Sequence, residues 1–164
     1  MYYDAHCHLQ SLRLVRAGFD PSTLIDAGFK RIVVNGTQPD DWPAVAQLTE
    51  LFPDVVLPSF GLHPWWANDR PAVSWRSQLH EQLLNHRGNV AIGEIGLDRW
   101  IDDFDMPAQE EAFLWQLEIA SEFDLPVSIH CLKAWGRMLG ILQSNPLPER
   151  GFLLHSYSGP AEMV

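Results

Sequence analysis

Short runs rich in β-branched and aromatic residues alternate along this chain with longer runs whose apolar residues recur at helical spacing. Residues 2–8 form the first β-type run. Asp20-Pro21 then opens a helix with a capping side chain and a proline at its first position, and Gly28 ends it. The pattern predicts a second strand over 31–35, a helix over 40–52 stopped by Pro53, and a third strand over 55–63. In the stretch 74–85, Trp75, Leu79 and Leu83 share one helical face. A fourth strand covers 90–98, the longest helix 107–123, a fifth strand 127–130, a helix 134–143 and a sixth strand 151–155.

Strands separated by helices imply βαβ units and a parallel sheet, either an open doubly wound sheet or a closed barrel. The polar residues separate the two. In every strand but the second, a polar group with ligand chemistry stands near the C-terminal end: His6 and His8, then His63, Glu94, His130 and His155. A barrel converges such ends on one point, whereas an open sheet spreads them across its width. The expected fold is therefore α/β, of the (β/α)8 TIM-barrel type, with about six βα units in a single domain over 1–164.

Alternation along the first strand puts Asp4, His6 and His8 on one face and Ala5, Cys7 and Leu9 on the other. His6, His8, Glu94, His130 and His155 are then five N/O donors from strand ends, which is what a two-metal hydrolase centre needs. Taken singly each has a plainer role. A lone His-x-His is a common coincidence, Glu94 suits a salt bridge, and His130 or His155 suits a hydrogen-bonded core. Cys7 and Cys131 each follow a candidate ligand and point to the opposite face, as small buried apolar residues. Trp65, Trp66, Trp100 and Trp135 fall on or near loops after strands, where they either pack the loops or stack on bases.

Composition narrows the function classes. The 164 residues are 46% hydrophobic, enough for one sizeable core, and carry a net charge of -10, which disfavours a nonspecific basic nucleic-acid surface. A divalent metal cluster would reverse that sign locally. Two cysteines make a disulfide framework improbable and fit a reducing cytoplasm. The first residues do not read as a signal peptide, and no apolar run approaches the ~18 residues of a membrane span.

Five motifs in order, Asp4-Ala-His-Cys-His8, Gly61-Leu-His-Pro64, Gly93-Glu-Ile-Gly-Leu-Asp98, Ile129-His130 after Leu-Pro-Val, and His155-Ser-Tyr-Ser-Gly159, resemble the TatD family of metal-dependent hydrolases, within the amidohydrolase-like barrels. The resemblance spans essentially the whole chain. It implies a barrel with two divalent ions (Mg, Mn or Zn) and phosphodiester hydrolysis, commonly DNase activity from a 3' end. On that basis His6 and His8 hold one metal, Glu94 bridges as the catalytic carboxylate, and His130 and His155 hold the second. His63 stands beside the substrate, Asp98 orients a ligand or shapes its loop, and Asp4 supports a ligating histidine. Where the family often has an arginine two residues after the fifth-strand histidine, this chain has Leu132 with Lys133 beside it, so Lys133 becomes the candidate for the substrate phosphate.

The family's metal-ligating aspartate at the end of the eighth strand has no counterpart in these residues. Gly159-Pro160-Ala161-Glu162 reads as the start of a further helix, so the expectation is a domain incomplete at its C-terminus. The chain is then a divalent-metal phosphodiesterase whose turnover is slowed by that loss. A different amidohydrolase-type ester, lactone or amide hydrolase, or a metal-binding remnant without turnover, is the alternative. The expected partner is DNA or another phosphodiester, with no membrane and no obligate protein partner.

Overall fold

The computed structural model describes residues 1–68 and 72–163. Six parallel strands, β1 (Tyr2–Cys7), β2 (Phe29–Asn35), β3 (Val56–Phe60), β4 (Ala91–Asp98), β5 (Val127–Leu132) and β6 (Phe152–Leu154), are hydrogen-bonded in chain order. The helices α1 (Leu12–Arg16), α2 (Ser22–Asp26), α3 (Trp42–Leu51), α4 (Ala72–Asn85), α5 (Met106–Glu122) and α6 (Trp135–Ser144) fall between them. Every residue of β4 is buried, as expected of a central parallel strand covered on both faces.

The sheet is curled. In a flat six-stranded sheet the outer strands would lie roughly 24 Å apart, at ~4.8 Å per neighbour. Here His6 in β1 and His155, one residue beyond β6, stack with ring centroids 3.9 Å apart. The C-terminal strand ends therefore converge, the feature of a barrel and not of an open sheet, and the fold is a partial (β/α)8 barrel.

The core lies between the sheet and its helices. Ile32, Val34, Phe60, Ile92, Ile95, Leu97 and Ile129 pack with Phe113, Leu117 and Ala120 of α5. Two glutamines of α5, seven residues apart and so on one helical face, are fully buried and fasten strand exits. Gln116 accepts from the Leu62 amide (2.7 Å) and donates to the Leu62 carbonyl (3.3 Å). Gln109 does the same for Asp98, at 2.8 and 2.9 Å. Leu62 precedes His63 and Asp98 ends β4, so α5 fixes where two of the polar strand exits point.

Differences from the sequence-based expectation are local. The short α1 has no strong apolar periodicity and was not predicted; its start is capped by Ser11, which accepts from the Arg13 amide. The third strand stops at Phe60, because the Leu62 amide goes to Gln116 and the His63 amide to the Thr37 carbonyl. After Gly159-Pro160, residues Ala161–Met163 form a single 3-10 turn, and Val164 lies outside the described residues.

Candidate metal centre

Glu94, inside β4, is the focus of the converging strand ends. Its Oε2 lies 3.3 Å from His6 Nε2 and 3.1 Å from His8 Nε2. Its Oε1 lies 2.6 Å from His155 Nε2, 3.0 Å from His130 Nδ1 and 3.5 Å from His63 Nε2. Burial alone would raise the Glu94 pKa, but the hydrogen bonds of His130, His155, His6 and His63 outweigh it and hold the carboxyl well below the usual range.

Two glycines let β4 approach its neighbours this closely. A Cβ on Gly93 would lie 2.8 Å from Ser128 Cβ, and one on Gly96, whose φ is +141°, would lie 2.0 Å from the His130 carbonyl oxygen. The motif glycines are thus packing requirements of the strand that carries Glu94.

What stands behind each imidazole fixes which nitrogen faces the carboxylate. His8 Nδ1 is 2.7 Å from the Asn35 backbone carbonyl, which can only accept, so Nδ1 bears the proton and Nε2 turns a lone pair towards Glu94. His130 Nε2 is 3.0 Å from Asp98 Oδ2, again an acceptor, so its Nδ1 lone pair faces Glu94. A lone pair against a carboxylate is repulsive unless a cation lies between them or the ring is protonated. Burial pushes the His8 and His130 pKa values down, but Glu94 more than offsets it and both end above the ordinary value. His63 is arranged the other way. Its Nδ1 accepts from the Trp65 amide (3.2 Å), leaving the proton on Nε2, and burial pushes its pKa below the ordinary value.

This donor set fits a divalent ion. Ligands bonded at ~2.0–2.1 Å to one tetrahedral ion are separated by roughly 3.4 Å. His6 Nε2, His8 Nε2 and Glu94 Oε2 are mutually 3.1 to 3.3 Å apart, the His6–His8 edge being 3.2 Å. Donor atoms of His6, Glu94 and His155, and of His63, Glu94 and His130, also lie within 4.8 Å of one another. The proton on His63 Nε2 faces Glu94 Oε1, 3.5 Å away, so in this tautomer His63 stands as a donor to the carboxylate.

Asp98 is buried, with its carboxylate below the usual range: burial raises it, but bonds from the Trp65 indole, the Trp100 amide and His130 outweigh that. Asp4 Oδ1 accepts from the backbone amide of His6 (3.0 Å), so it steadies the strand and not an imidazole ring. Lys133 directly follows β5, with Nζ 4.4 Å from the centroid of the Trp100 ring. Burial pushes the thiols of Cys7 and Cys131 up to about 12 and about 11, and neither faces the carboxylate as a thiolate.

Several contributors are not apparent from the sequence pattern. Asn35 acts on His8 through its backbone, for which side-chain identity gives no signal. Ser128 Oγ lies 2.6 Å from His6 Nδ1, and its place two residues before His130 on the same strand face was the available signal. Trp65 donates its indole N–H to Asp98 Oδ2 at 2.7 Å. A cleft of about 380 Å³, lined by His8, Gln10, His63, Trp65, His130 and His155 among others, opens above Glu94.

A curled parallel sheet with imidazoles and a carboxylate gathered at its C-terminal strand ends defines the barrel class of metal-dependent hydrolases. Within that class the sequence profile of the family described as TatD related DNase matches residues 3–164, and the chain belongs to that family. A metal-dependent hydrolase of Haemophilus influenzae, described as uncharacterized, is 33% identical over 96% of this chain and 63% of its own length. The 3'-5' ssDNA/RNA exonuclease TatD of Pectobacterium parmentieri is 36% identical over 71% of this chain and 44% of its own. The crystal structure of YjjV, a TatD homologue from Escherichia coli K12, superposes with a TM-score of 0.87 at 28% identity, covering 99% of this chain and 62% of that one. This chain thus spans under two thirds of the length of those relatives.

Proposed function

We propose that this protein is a phosphodiesterase that holds two divalent ions around Glu94 and removes nucleotides from the 3' end of single-stranded DNA. The observation that carries the reading is the orientation of His8 and His130, each held from behind by an acceptor so that a lone pair faces a buried carboxylate. Such an arrangement suits a cation and wastes a buried charge without one. His6, His8 and Glu94 would hold one ion, and His130 and His155 with Glu94 the other. When bound, divalent ions supply Lewis acidity towards a phosphoryl oxygen and lower the pKa of water.

The chain's own residues do the rest. Glu94 is common to both ligand sets. Asp98 holds the ring of His130, and Asn35 and Ser128 hold those of His8 and His6. His63, with its proton on Nε2, donates to a phosphate oxygen in the cleft, and Lys133, just after β5, offers a cation to the next phosphate. A nuclease named among the relatives supports nucleic acid as the substrate class. Among the described residues no helix is long and apolar enough to cross a membrane.

The test is hydrolysis of a labelled single-stranded oligonucleotide with Mg, Mn or Zn. Activity should need the metal, stop in chelator and vanish in Glu94→Gln. Undiminished hydrolysis in excess chelator, or none with any of the metals, overturns the reading.

A further inference from the structure

The tryptophans of this chain divide by burial in a way that their sequence positions do not. Trp42 and Trp75 are core residues, 1% and 2% exposed. Trp66, Trp115 and Trp135 pack against the core, and Trp135 also packs against Tyr157 with ring centroids 4.5 Å apart. Trp65 and Trp100 remain 52% and 65% exposed. Trp65 lines the cleft above Glu94, Trp100 lies just past the end of β4, and both bond to one residue. The Trp65 indole N–H donates to Asp98 Oδ2 and the Trp100 amide to Asp98 Oδ1, each at 2.7 Å. Asp98 is itself clamped by Gln109 of α5 and reaches His130, so the Trp65 ring and the backbone of Trp100 are both fastened to the centre.

We propose that Trp65 and Trp100 form a stacking platform for unpaired nucleobases, with Trp65 taking the base beside the scissile phosphate and Trp100 a base further along the strand. The proposal rests on the phosphodiesterase reading above and adds the element that selects a single strand. An aromatic side chain anchored through its indole N–H, as in Trp65, or through its backbone, as in Trp100, yet left half or more in water, suits a flat partner that every base supplies. Trp65 lines the cleft directly and lies edge-on to His63, with ring centroids 4.6 Å apart. Trp100 carries the Lys133 ammonium over its ring, so base stacking and phosphate attraction come from one spot.

Away from the proposed ion site, side-chain charge adds little to the affinity. The chain carries -10 overall, and the loop after β4 that bears Arg99 and Trp100 also bears Asp102, Asp103 and Asp105. Among the described residues, Lys133 and Arg99 are the cations that lie over aromatic rings of these loops, Lys133 over Trp100 and Arg99 over the Phe104 ring at 5.7 Å. Binding must therefore come from the bases and depend little on salt. With about two phosphates neutralised on a single strand, log K should fall against log salt with a slope of roughly -1.4, far shallower than for a basic groove.

The experiment measures anisotropy of a labelled phosphorothioate decamer, which resists cleavage, with the full chain as purified. Its comparators are an abasic strand of equal length and linkage, and the corresponding duplex. The single strand carrying bases should bind more tightly than either. Trp100→Ala should weaken it roughly 5- to 150-fold, the range for one stacked base, and should not change binding of the abasic strand. Trp100→Phe should recover part of the loss. Trp100 meets Asp98 only through its backbone amide, so these variants leave the anchor intact; a melting curve checks the fold. Equal affinity for base-bearing and abasic strands, or an unchanged affinity in Trp100→Ala, overturns the platform. Hydrolysis of bis(p-nitrophenyl) phosphate by the unaltered chain tests the phosphodiesterase reading separately, since that diester has no nucleobase to stack.

Discussion

His6 and His155 stack face to face, their rings 3.9 Å apart and inclined by 1°, although they come from the first and sixth strands of the sheet. Both point Nε2 at Glu94, His6 towards Oε2 and His155 towards Oε1. One carboxylate thus gathers the two edges of the sheet, and the curl of the fold and the assembly of the site are a single arrangement. Glu94→Gln keeps the shape and removes the charge. Divalent-ion affinity should fall by at least ~100-fold, because the variant loses an anionic donor shared by both ligand sets. Titration calorimetry on metal-stripped protein reads this directly, and an affinity equal to the unaltered chain's would contradict the shared role.

Histidine titrations in the metal-stripped protein should separate. His8 and His130 should titrate above the ordinary imidazole value of ~6.5, and His63 below it. The raised groups stabilise the metal-free fold fully below ~6.5, and that contribution disappears as the pH rises through their folded values. His63 has the opposite sign: its contribution is present above ~6.5 and is lost as the pH falls through its depressed value. Metal binding consumes neutral imidazoles, so affinity should rise over the interval in which His8 and His130 deprotonate. Imidazole NMR shifts followed against pH give the order, and His63 titrating above His130 would contradict it.

Gly96→Ala tests the close approach of β4 to β5. The position has φ +141°, and an added Cβ would sit 2.0 Å from the His130 backbone oxygen, where no rotamer change helps. The variant should lose at least ~3 kcal/mol, since overpacking and backbone strain act together. Denaturant unfolding measures it, and a loss under ~1 kcal/mol, within the range of ordinary surface substitutions and small repacking, would show that the strands part easily.

Asp98→Ala removes the acceptor behind His130 together with the anchor of Trp65. Metal affinity should fall ~10- to 100-fold, the usual effect of losing a residue that orients a ligand. Trp65 emission should shift as its indole N–H at 2.7 Å loses its partner. An unaltered affinity would mean that packing alone holds the His130 ring.

The strand order and the converging donors were legible because period-2 and period-3.6 patterns survive in a single sequence, and because His6, His8, Glu94, His130 and His155 recur at strand exits. What lay behind the rings was not. The Asn35 carbonyl belongs to the backbone of every residue type, so nothing in the letters marks it as the partner of His8. Gln109 and Gln116 look like ordinary polar positions of an amphipathic helix, and only the tertiary placement of α5 shows them inside the fold, holding Asp98 and Leu62. Asp4 was expected to support a ligating histidine, and it meets His6 at the backbone amide and not at the ring, a distinction that the letters do not carry.

The proposed function stands or falls on a divalent ion among His6, His8 and Glu94. Anomalous diffraction from crystals soaked in Mn or Zn measures this with no reference to turnover. A peak ~2.0–2.2 Å from His6 Nε2, His8 Nε2 and Glu94 Oε2 together is expected, and its loss in Glu94→Gln. No peak at that position under saturating metal, or a peak that persists in Glu94→Gln, would contradict it.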